Sequence, residues 1–270
     1  MDNDELFYYL ALQSVDGIGP VNAKKLVDHF GGVKPIFDEK QRKIKKIKGL
    51  NSGLFNRLKK REIFEKAERE IRFLENQKLR AVCFSDQDYP SKLKHCHDAP
   101  LLLFQKGNFN INNRKIISIV GTRLMTSYGS KFLKEFIREI KIYDPVIVSG
   151  LAYGIDICAH QESMHNNICT VGILAHGLDR IYPKSHEGIA QKMTENGGFY
   201  TEFRSGTSPD RENFVKRNRI IAGISEATLV VESYKKGGSL ITAQLASSYY
   251  RDVLAVPGRT TDRFLKGCNM

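Results

Sequence analysis

Apolar residues recur at two different spacings along the chain, and the change falls near residue 80. Before it the spacing is helical: Leu6 and Leu10 begin one predicted helix, and a second one runs from Val21 to Phe30. From residue 81 onward, short apolar runs alternate with amphipathic stretches. The sequence therefore predicts a small all-helical domain over residues 1–80 and a larger domain of another class over residues 81–270.

The pattern of the larger domain indicates strands that alternate with helices. Apolar strands separated by amphipathic helices are typical of a parallel sheet that is covered on both faces. We therefore predict an α/β fold with a Rossmann-like, doubly wound, mostly parallel sheet. The predicted strands are Ala81–Phe84, Leu101–Phe104, Ile116–Val120, Val146–Val148, Cys169–Leu174, Ala227–Val231 and Val253–Val256, and the predicted helices include Tyr128–Ile140, Asp156–His165, Glu187–Glu195 and Ser239–Tyr250.

A glycine hairpin, Val15–Pro20, separates the first two predicted helices. It resembles the helix-hairpin-helix module, in which backbone N–H groups contact a DNA phosphate without reading sequence. Packing against a neighbouring domain is the equally weighted alternative. A weaker second hairpin is predicted at Ile47–Asn51, and residues 40–48 form a cationic run for which a solvated face is the alternative.

The chain is basic and lacks the sequence marks of export or membrane insertion. Its 270 residues include 42 Lys and Arg against 30 Asp and Glu, a formal net charge of +12, and such a balance suits a phosphate-rich partner. No apolar run approaches the roughly 20 residues that a membrane helix needs. The N-terminus is acidic, unlike a secretion signal, and the five cysteines are scattered. These features favour a cytoplasmic protein with reduced thiols and no membrane partner.

The densest cluster of charge precedes an apolar run in residues 211–223. Repulsion between neighbouring cations is relieved when an anion or bulk water lies over them, and an aromatic ring among them gives a nucleobase a surface to stack on. Single-stranded nucleic acid, a polyanion with aromatic bases, is the partner that this combination predicts. The residues concerned are Arg211, Phe214, Lys216, Arg217 and Arg219.

The same segment is predicted to form a helix that starts at Ser208–Asp210, with Pro209 in its first turn. These cations cannot all share one helical face, because successive residues are about 100° apart. At least one of them is therefore expected to turn inward. Arg217 and Arg219, which flank Asn218, have two alternatives: contact with the ligand, or support of neighbouring strand-end loops.

Three predicted strands end in turns rich in glycine, hydroxyls and cations: Gly121–Arg123, Ser149–Asp156 and Glu232–Ser239. Ligands of doubly wound sheets bind beyond the carboxyl ends of the strands. Glycine lets a backbone approach a phosphate closely, and N–H groups at a helix start point at it. Arg123 and Lys236 would add charge-assisted contacts. We call these three turns the strand-end crest and predict that it binds an anion.

Two nucleotide-binding fingerprints are missing from the crest. A dinucleotide site needs Gly-x-Gly-x-x-Gly after the first strand, where the chain has Gly121–Leu124, and residues 235–239 hold the P-loop residue types in the wrong order. A hydrolytic set could be imagined from residues such as Ser149, His160 and Asp156, but no nucleophile elbow accompanies them. We therefore expect no cofactor and no enzymatic activity. We also expect no metal site, because Cys96 and its neighbours His95 and His97 are adjacent in the chain and adjacent residues rarely converge on one ion.

Several short motifs keep a common order and spacing over roughly residues 80–270. They are Ile119–Arg123, Ser149–Asp156, Gly177–Pro183, Asn213-Phe214, Arg217–Gly223, Gly238–Ala243, Val256–Gly258 and Gly267–Asn269. In all of them the chain resembles the DNA-processing protein A family, also called DprA or Smf. The helical N-terminus is similar to the helix-hairpin-helix or SAM-like domain that many members carry.

The resemblance implies a bacterial cytoplasmic protein that binds incoming single-stranded DNA during natural transformation, protects it and helps to load the RecA recombinase. It also implies a homodimer formed through the Rossmann-like domain. Carried over by position, the family's DNA pocket maps to Gly121, Thr122, Arg123, Arg211, Phe214, Arg217 and Lys236. Together with their neighbours, the candidate nucleic-acid-binding residues are Gly121, Thr122, Arg123, Ser149, Gly150, Arg211, Phe214, Lys216, Arg217, Asn218, Arg219, Lys236, Gly237, Gly238 and Ser239.

Two departures from the family pattern stand out. Members often have Ser where this chain has Gly237, which removes one hydroxyl from the crest but none of its backbone donors. The sequence also ends at Met270, whereas many relatives continue into a winged-helix-like domain, so that domain is expected to be absent; a natural short form and a shortened chain are both open.

Two alternative functions stay open at this point. One is a small-nucleotide-binding or nucleoside-monophosphate-hydrolysing protein of the same Rossmann-like superfamily, whose signature is Pro-Gly-Gly-x-Gly-Thr with a downstream Glu. Here the corresponding turn is Lys236–Leu240, preceded by Lys235, which favours a polyanion. The other is a DNA-bound scaffold that acts mainly through protein contacts.

Overall fold

The computed structural model describes residues 3–38 and 53–270. The cationic run at residues 40–48 and the second hairpin at Ile47–Asn51 lie outside the described residues. The chain divides into two compact units, one comprising Met1–Gln87 with His97–Leu103 and the other Asp88–Cys96 with Phe104–Met270. The domain boundary placed after residue 80 stays a prediction.

Helices make up most of the first unit. They are α1 (Asn3–Gln13), α2 (Pro20–Phe30), α3 (Lys34–Asp38), α4 (Leu54–Leu58) and α5 (Arg61–Asn76), and strand β1 (Arg80–Cys83) follows. α1 packs along α5. Leu10, Leu26 and Leu58 are fully buried, so the helical spacing of apolar residues marks the core of this unit.

The glycine hairpin connects α1 to α2. Gly17 has a φ of 77°, which glycine adopts without strain, and the N–H of Ile18 donates to the carbonyl of Val15 at 3.2 Å. Gly19 then precedes α2, whose first residue is Pro20, and no side chain caps this helix start. Contact between this hairpin and DNA stays a prediction.

Strands and helices alternate through the second unit. In chain order they are α6 (Ser91–Lys94), β2 (Leu102–Lys106, which begins in the first unit), β3 (Ile116–Val120), α7 (Ser127–Ile140), β4 (Val146–Ser149), α8 (Ile155–His165), β5 (Thr170–Ile173), α9 (Glu187–Met193), β6 (Gly197–Thr201), α10 (Arg211–Ile224), β7 (Ala227–Val230), α11 (Gly238–Ser248) and β8 (Asp252–Ala255), with short 3-10 turns at Lys141–Tyr143 and Lys184–His186.

The strands of this unit lie in the order β2-β6-β5-β4-β3-β7-β8. Every neighbouring pair from β6 to β8 is parallel, and β2 runs antiparallel to β6. Beneath the sheet, Ile119, Ile147 and Leu229 pack with Leu133 and Ile137 of α7 in a fully buried core. The arrangement confirms the predicted α/β fold with its Rossmann-like, mostly parallel sheet.

Three adjacent strands carry the strand-end crest. Ser118 of β3 pairs with Val148 of β4 on one side and with Thr228 of β7 on the other. Because parallel strands all end at the same edge of a sheet, the turns after β3, β4 and β7 lie side by side. The sequence identified the turns, and the strand order brings them together.

Strand β6 does not follow from the sequence pattern. It begins with Gly197 and Gly198, and glycine disfavours strands in isolation. In the fold both positions are crowded by backbone: a Cβ on Gly197 would collide with the carbonyl oxygen of Thr170, and one on Gly198 with that of Lys106. These two glycines weaken the strand signal in the sequence. In the fold they are needed, because only residues without a side chain fit between β5 and β2 at these positions.

The expectation that Pro209 lies in the first turn of the charged helix is wrong. α10 begins at Arg211, and Asp210 is its extended N-cap residue. The N–H of Asp210 donates to the carbonyl of Ser208 at 2.9 Å, which closes a tight turn around Pro209. Pro209 therefore lies in the turn that precedes the helix and not within the helix itself.

Candidate nucleic-acid interface

A groove of about 720 Å³ lies over the carboxyl ends of β3 and β7, bounded by the turns that follow them and by α10. Its charged wall residues are four cations and one acid, Asp156, so the groove is basic. Most of the candidate residues line it: Gly121, Thr122, Arg123, Arg211, Phe214, Arg217, Asn218, Lys236, Gly237, Gly238 and Ser239.

Backbone hydrogen bonds hold the turn after β3 in place. The N–H of Thr122 donates to the carbonyl of Glu232 at 2.8 Å, and the N–H of Ile155 donates to the carbonyl of Thr122 at 3.1 Å. Gly121 lies so close to the Ile155 side chain that a Cβ would collide with it. These contacts tie the turn to both neighbouring turns and leave the Arg123 side chain exposed at the groove.

The turn after β7 leads directly into α11. Gly237 is the extended N-cap residue of this helix, and no side chain caps its first N–H groups. The hydroxyl of Ser239 donates to the Ser233 hydroxyl at 2.8 Å. A Cβ on Gly237 would collide with the Ser233 hydroxyl oxygen, so a larger residue there would have to displace that hydroxyl. The groove therefore faces an uncapped helix N-terminus, which carries a partial positive charge.

Phe214 lies half-buried near the start of α10, among cations and a second aromatic ring. The guanidinium carbons of Arg123 and Arg217 lie 5.6 Å and 5.9 Å from its ring centroid, within the range of cation–π attraction. The Tyr182 ring lies 6.0 Å from it at an angle of 55°. The arrangement offers an aromatic face beside fixed positive charge.

Arg217 is the most deeply buried cation of the groove, with 5% of its surface exposed. Its Nη1 donates to the carbonyl of Ile173, and both Arg217 and Asp156 press against Gly150. Burial lowers the pKa of Arg217 to about 10, which the Asp156 carboxylate opposes. Burial likewise raises the pKa of Asp156, and Arg217 opposes that shift. Arg217 is thus fixed at the base of the groove. From this position it can support the neighbouring loops, and its charge can also act on a ligand in the groove.

Four candidate residues lie away from the groove walls. Ser149 is fully buried and donates to the carbonyl of Ile119 at 2.6 Å. Arg219 forms an ion pair with Glu202. Gly150 and Lys216 complete the set: Gly150 is buried beneath the groove, and Lys216 is exposed on α10.

Ser149 and His160 do not form a hydrolytic pair. The His160 ring is fully buried, with Nε2 2.6 Å from the carbonyl oxygen of Gly150 and Nδ1 2.6 Å from the Thr170 hydroxyl. Burial lowers the pKa of His160 to about 4. Both ring nitrogens are engaged in holding the turn after β4 to β5, so this histidine supports the crest.

Sequence reasoning missed several residues of the site. Ser233 and Tyr234 line the groove, and Thr242 does so one helical turn beyond the start of α11. The first two belong to the turn Glu232–Ser239, which the sequence did identify. Nothing in the sequence indicated that these particular side chains would line the groove. The fold brings Tyr182 beside Phe214, although the two positions are 32 apart in the chain. Sequence reasoning therefore had no local signal for this pair.

Among the described residues, no helix combines the length and the apolar character needed to cross a bilayer. The same residues hold no cluster of three or more His, Cys, Asp or Glu side chains arranged to bind a metal ion.

The chain is similar in sequence to known proteins. The family model described as DNA recombination-mediator protein A matches residues 80–270. The chain is 32% identical to the protein Smf of Synechocystis sp., an alignment that covers 99% of this chain and 68% of that protein.

Two solved structures are similar to this one. DNA processing protein A (DprA) from Streptococcus pneumoniae superimposes with a TM-score of 0.83 at 29% identity, over 100% of this chain and 91% of that one. DNA processing protein A from Helicobacter pylori, solved to describe its single-stranded DNA binding mode, superimposes with a TM-score of 0.63 at 26% identity, over 68% of this chain and 83% of that one. With the matches in sequence, these likenesses show that the chain belongs to the DNA recombination-mediator protein A family.

Proposed function

We propose that this protein binds single-stranded DNA in the groove over β3 and β7. The observation that carries the proposal is the meeting of Arg123, Arg211 and Lys236 with the Phe214 ring in one groove. The cations can bind phosphates, and a base can stack on the aromatic ring. Proteins that hold single strands without reading their sequence use this combination.

The charges of the groove favour a strand over a single nucleotide. Four cations face one carboxylate there, and the uncapped N-terminus of α11 adds a further attraction for phosphate. One monophosphate neutralises only part of this charge, whereas a strand presents a phosphate at every nucleotide. Arg217, anchored to Ile173, supports the floor of the groove and adds its charge from below.

The likeness to the Helicobacter pylori protein, which was solved for its single-stranded DNA binding mode, supports the same proposal. On family membership we further propose a cytoplasmic DNA-processing role in natural transformation, with protection of the incoming strand, loading of the RecA recombinase and a homodimer as its parts. We propose binding without catalysis, in keeping with the structural roles of Ser149 and His160.

The test is fluorescence anisotropy with a labelled single strand of about 20 nucleotides, longer than the site of a typical single-strand-binding module. Unlabelled duplex DNA and AMP serve as competitors, and the titration is repeated at two salt concentrations. We expect tight, salt-sensitive binding of the single strand, weaker competition by duplex and none by AMP. Competition by AMP, or no strand binding, would favour the small-nucleotide alternative and call for a hydrolysis assay.

Two neighbouring lysines provide the matched control. Lys236 lines the groove, whereas Lys235 is exposed beside it without lining it. Lys236→Ala should weaken binding and reduce its salt dependence, while Lys235→Ala should do so less. Equal effects of both substitutions would mean that the strand follows general surface charge and not this groove.

A further inference from the structure

A cation lies over two aromatic rings just outside the groove, in the segment that follows β8. The Tyr234 ring, which lines the groove, lies 5.0 Å from the ring of Phe264 at an angle of 48°. The guanidinium carbon of Arg263 lies 5.2 Å from the centroid of the Phe264 ring and 5.9 Å from that of Tyr234. We call these three residues the Arg263 platform. Arg263 and Phe264 are not part of the groove wall, so the platform extends outward from Tyr234.

The backbone that carries the platform is fixed to the turn after β7. The N–H of Gly267 donates to the carbonyl of Ser233 at 2.9 Å, and a Cβ on Gly267 would collide with the carbonyl oxygen of Tyr234. The side-chain amide of Asn269 closes the loop, because it bonds both the N–H and the carbonyl of Gly258, at 3.2 Å and 3.0 Å. The loop is therefore held in place by the protein's own contacts.

The charge of Arg263 has no acidic partner within the part of the chain that the structure describes. Its side chain is exposed, and its contacts there are with the two rings. The neighbouring carboxylate of Asp262 accepts from the N–H of Phe264 at 2.9 Å. Attraction to an aromatic face orients a guanidinium without using its N–H donors. Arg263 is thus oriented and charged, and its donors are available to an anion.

Positive charge continues from the groove to the platform. Lys235 and Lys236 follow Tyr234 directly in the chain, and Lys236 lines the groove. The loop of residues 258–269 holds three cations and one acid. A strand that leaves the groove past Tyr234 therefore meets further positive charge, and it presents a phosphate at every nucleotide. A cation beside an aromatic ring is also the combination that suits a phosphate and its base.

We propose that the Arg263 platform binds the nucleotide of the strand that lies next outside the groove. Arg263 donates to the phosphate of this nucleotide, and the half-buried ring of Phe264 gives its base a surface. The inference rests on the proposed binding of single-stranded DNA and deepens it. It assigns where the strand leaves the groove and names two residues that a strand confined to the groove does not touch.

The test is the dependence of affinity on strand length. Anisotropy titrations compare the unaltered protein with Arg263→Ala on oligothymidylates of about 4 to about 20 nucleotides, a range that spans the site sizes of single-strand-binding modules. Both proteins should bind the shortest measurable strand equally, because that strand occupies the groove alone. Arg263→Ala should bind the longest strand about threefold to tenfold more weakly, the value of one hydrogen bond. Its slope of log affinity against log salt should fall by about one unit.

Arg259→Ala is the matched control. It removes the same charge from the same exposed loop, and among the described residues Arg259 makes no contact with an aromatic ring. It should weaken binding of the longest strand less than Arg263→Ala does. Arg263→Lys keeps the charge but loses the planar guanidinium, so it should retain the salt dependence and only part of the affinity. Because both arginines are exposed, these variants should fold, which urea denaturation checks.

The outcomes separate this inference from the proposed function. If the unaltered protein binds none of the strands, the proposed function itself fails. If it binds them and Arg263→Ala loses no more affinity than Arg259→Ala, only the platform is overturned. A loss in Arg263→Ala that is equal for short and long strands would place Arg263 at the groove itself and would also overturn a site outside it.

Discussion

The guanidinium carbon of Arg123 lies 5.6 Å from the centroid of the Phe214 ring. The two residues come from different elements, the turn after β3 and the start of α10, and they meet at the groove. Such a contact holds a cation where a phosphate can reach it and an aromatic face where a base can stack. This one pair of side chains thus places a cation directly beside an aromatic face.

Arg123→Ala should therefore weaken binding of single strands of every sequence, because the lost contact is to phosphate. The slope of log affinity against log salt should fall by about one unit. Titrations of two unrelated sequences at several salt concentrations measure both effects. Arg138→Ala, which removes an exposed arginine of α7 paired with Glu139, is the control. A loss confined to one sequence would contradict a phosphate role for Arg123.

Arg217 and Asp156 should be strongly coupled in stability. Arg217→Met removes a buried cation and leaves the buried Asp156 carboxylate without its compensating charge, which should cost about 3–5 kcal/mol. The double variant Arg217→Met, Asp156→Asn should lose less than the sum of the two single changes. Urea denaturation of the four proteins gives the coupling energy, and strict additivity would show that the two side chains do not compensate each other.

Acid should destabilise the fold through His160. Burial lowers its pKa in the folded protein to about 4, from an ordinary value of 6.5, so the fold favours the neutral ring. The stabilisation is complete above pH 6.5 and is lost as the pH falls toward 4, a change of about 3 kcal/mol at most. Denaturant titrations across this window should show stability falling with pH.

His160→Gln should be less stable at neutral pH but should lose less stability between pH 6.5 and 4. The variant should keep part of the dependence, because burial also lowers the pKa of His176. His165→Gln, on the same helix but exposed, is the matched substitution and should retain the full dependence. An unchanged slope in His160→Gln would assign the acid sensitivity to other groups.

Two glycines should respond to alanine in opposite directions. Gly154 has a φ of 76°, and a Cβ there would collide with the carbonyl oxygen of Thr122, so Gly154→Ala should cost about 2 kcal/mol or more. It should also weaken DNA binding, because the collision displaces the turn that carries Arg123.

Gly188, in contrast, lies in α9, and apart from its chain neighbours and the backbone of its own helix no atom lies within 4 Å of its Cβ position. Gly188→Ala should be neutral or should stabilise the protein by up to about 1 kcal/mol. Thermal or urea denaturation of both variants measures the difference. Similar losses at the two positions would contradict the crowding described for Gly154.

The fold class and most of the groove were predictable because local chemistry marks them. Apolar runs separated by amphipathic stretches indicate a covered parallel sheet, and glycines and cations directly after such runs mark Gly121, Arg123 and Lys236. In a parallel sheet these turns share one edge. Strand β6 was not predicted, because Gly197 and Gly198 are not typical of strands. Their role is visible only in the fold, where the backbones of neighbouring strands leave no room for a side chain.

By itself, the sequence determined that glycine-rich turns with cations follow several strands and that one helix is dense in cations. The tertiary structure decided which of those cations are exposed at the groove and which turn inward. Arg123 stays exposed, whereas Arg217 turns inward to Ile173 and Arg219 pairs with Glu202. The physical reason is that the direction of a helical side chain depends on which face packs against the sheet, and its partners come from other segments of the chain.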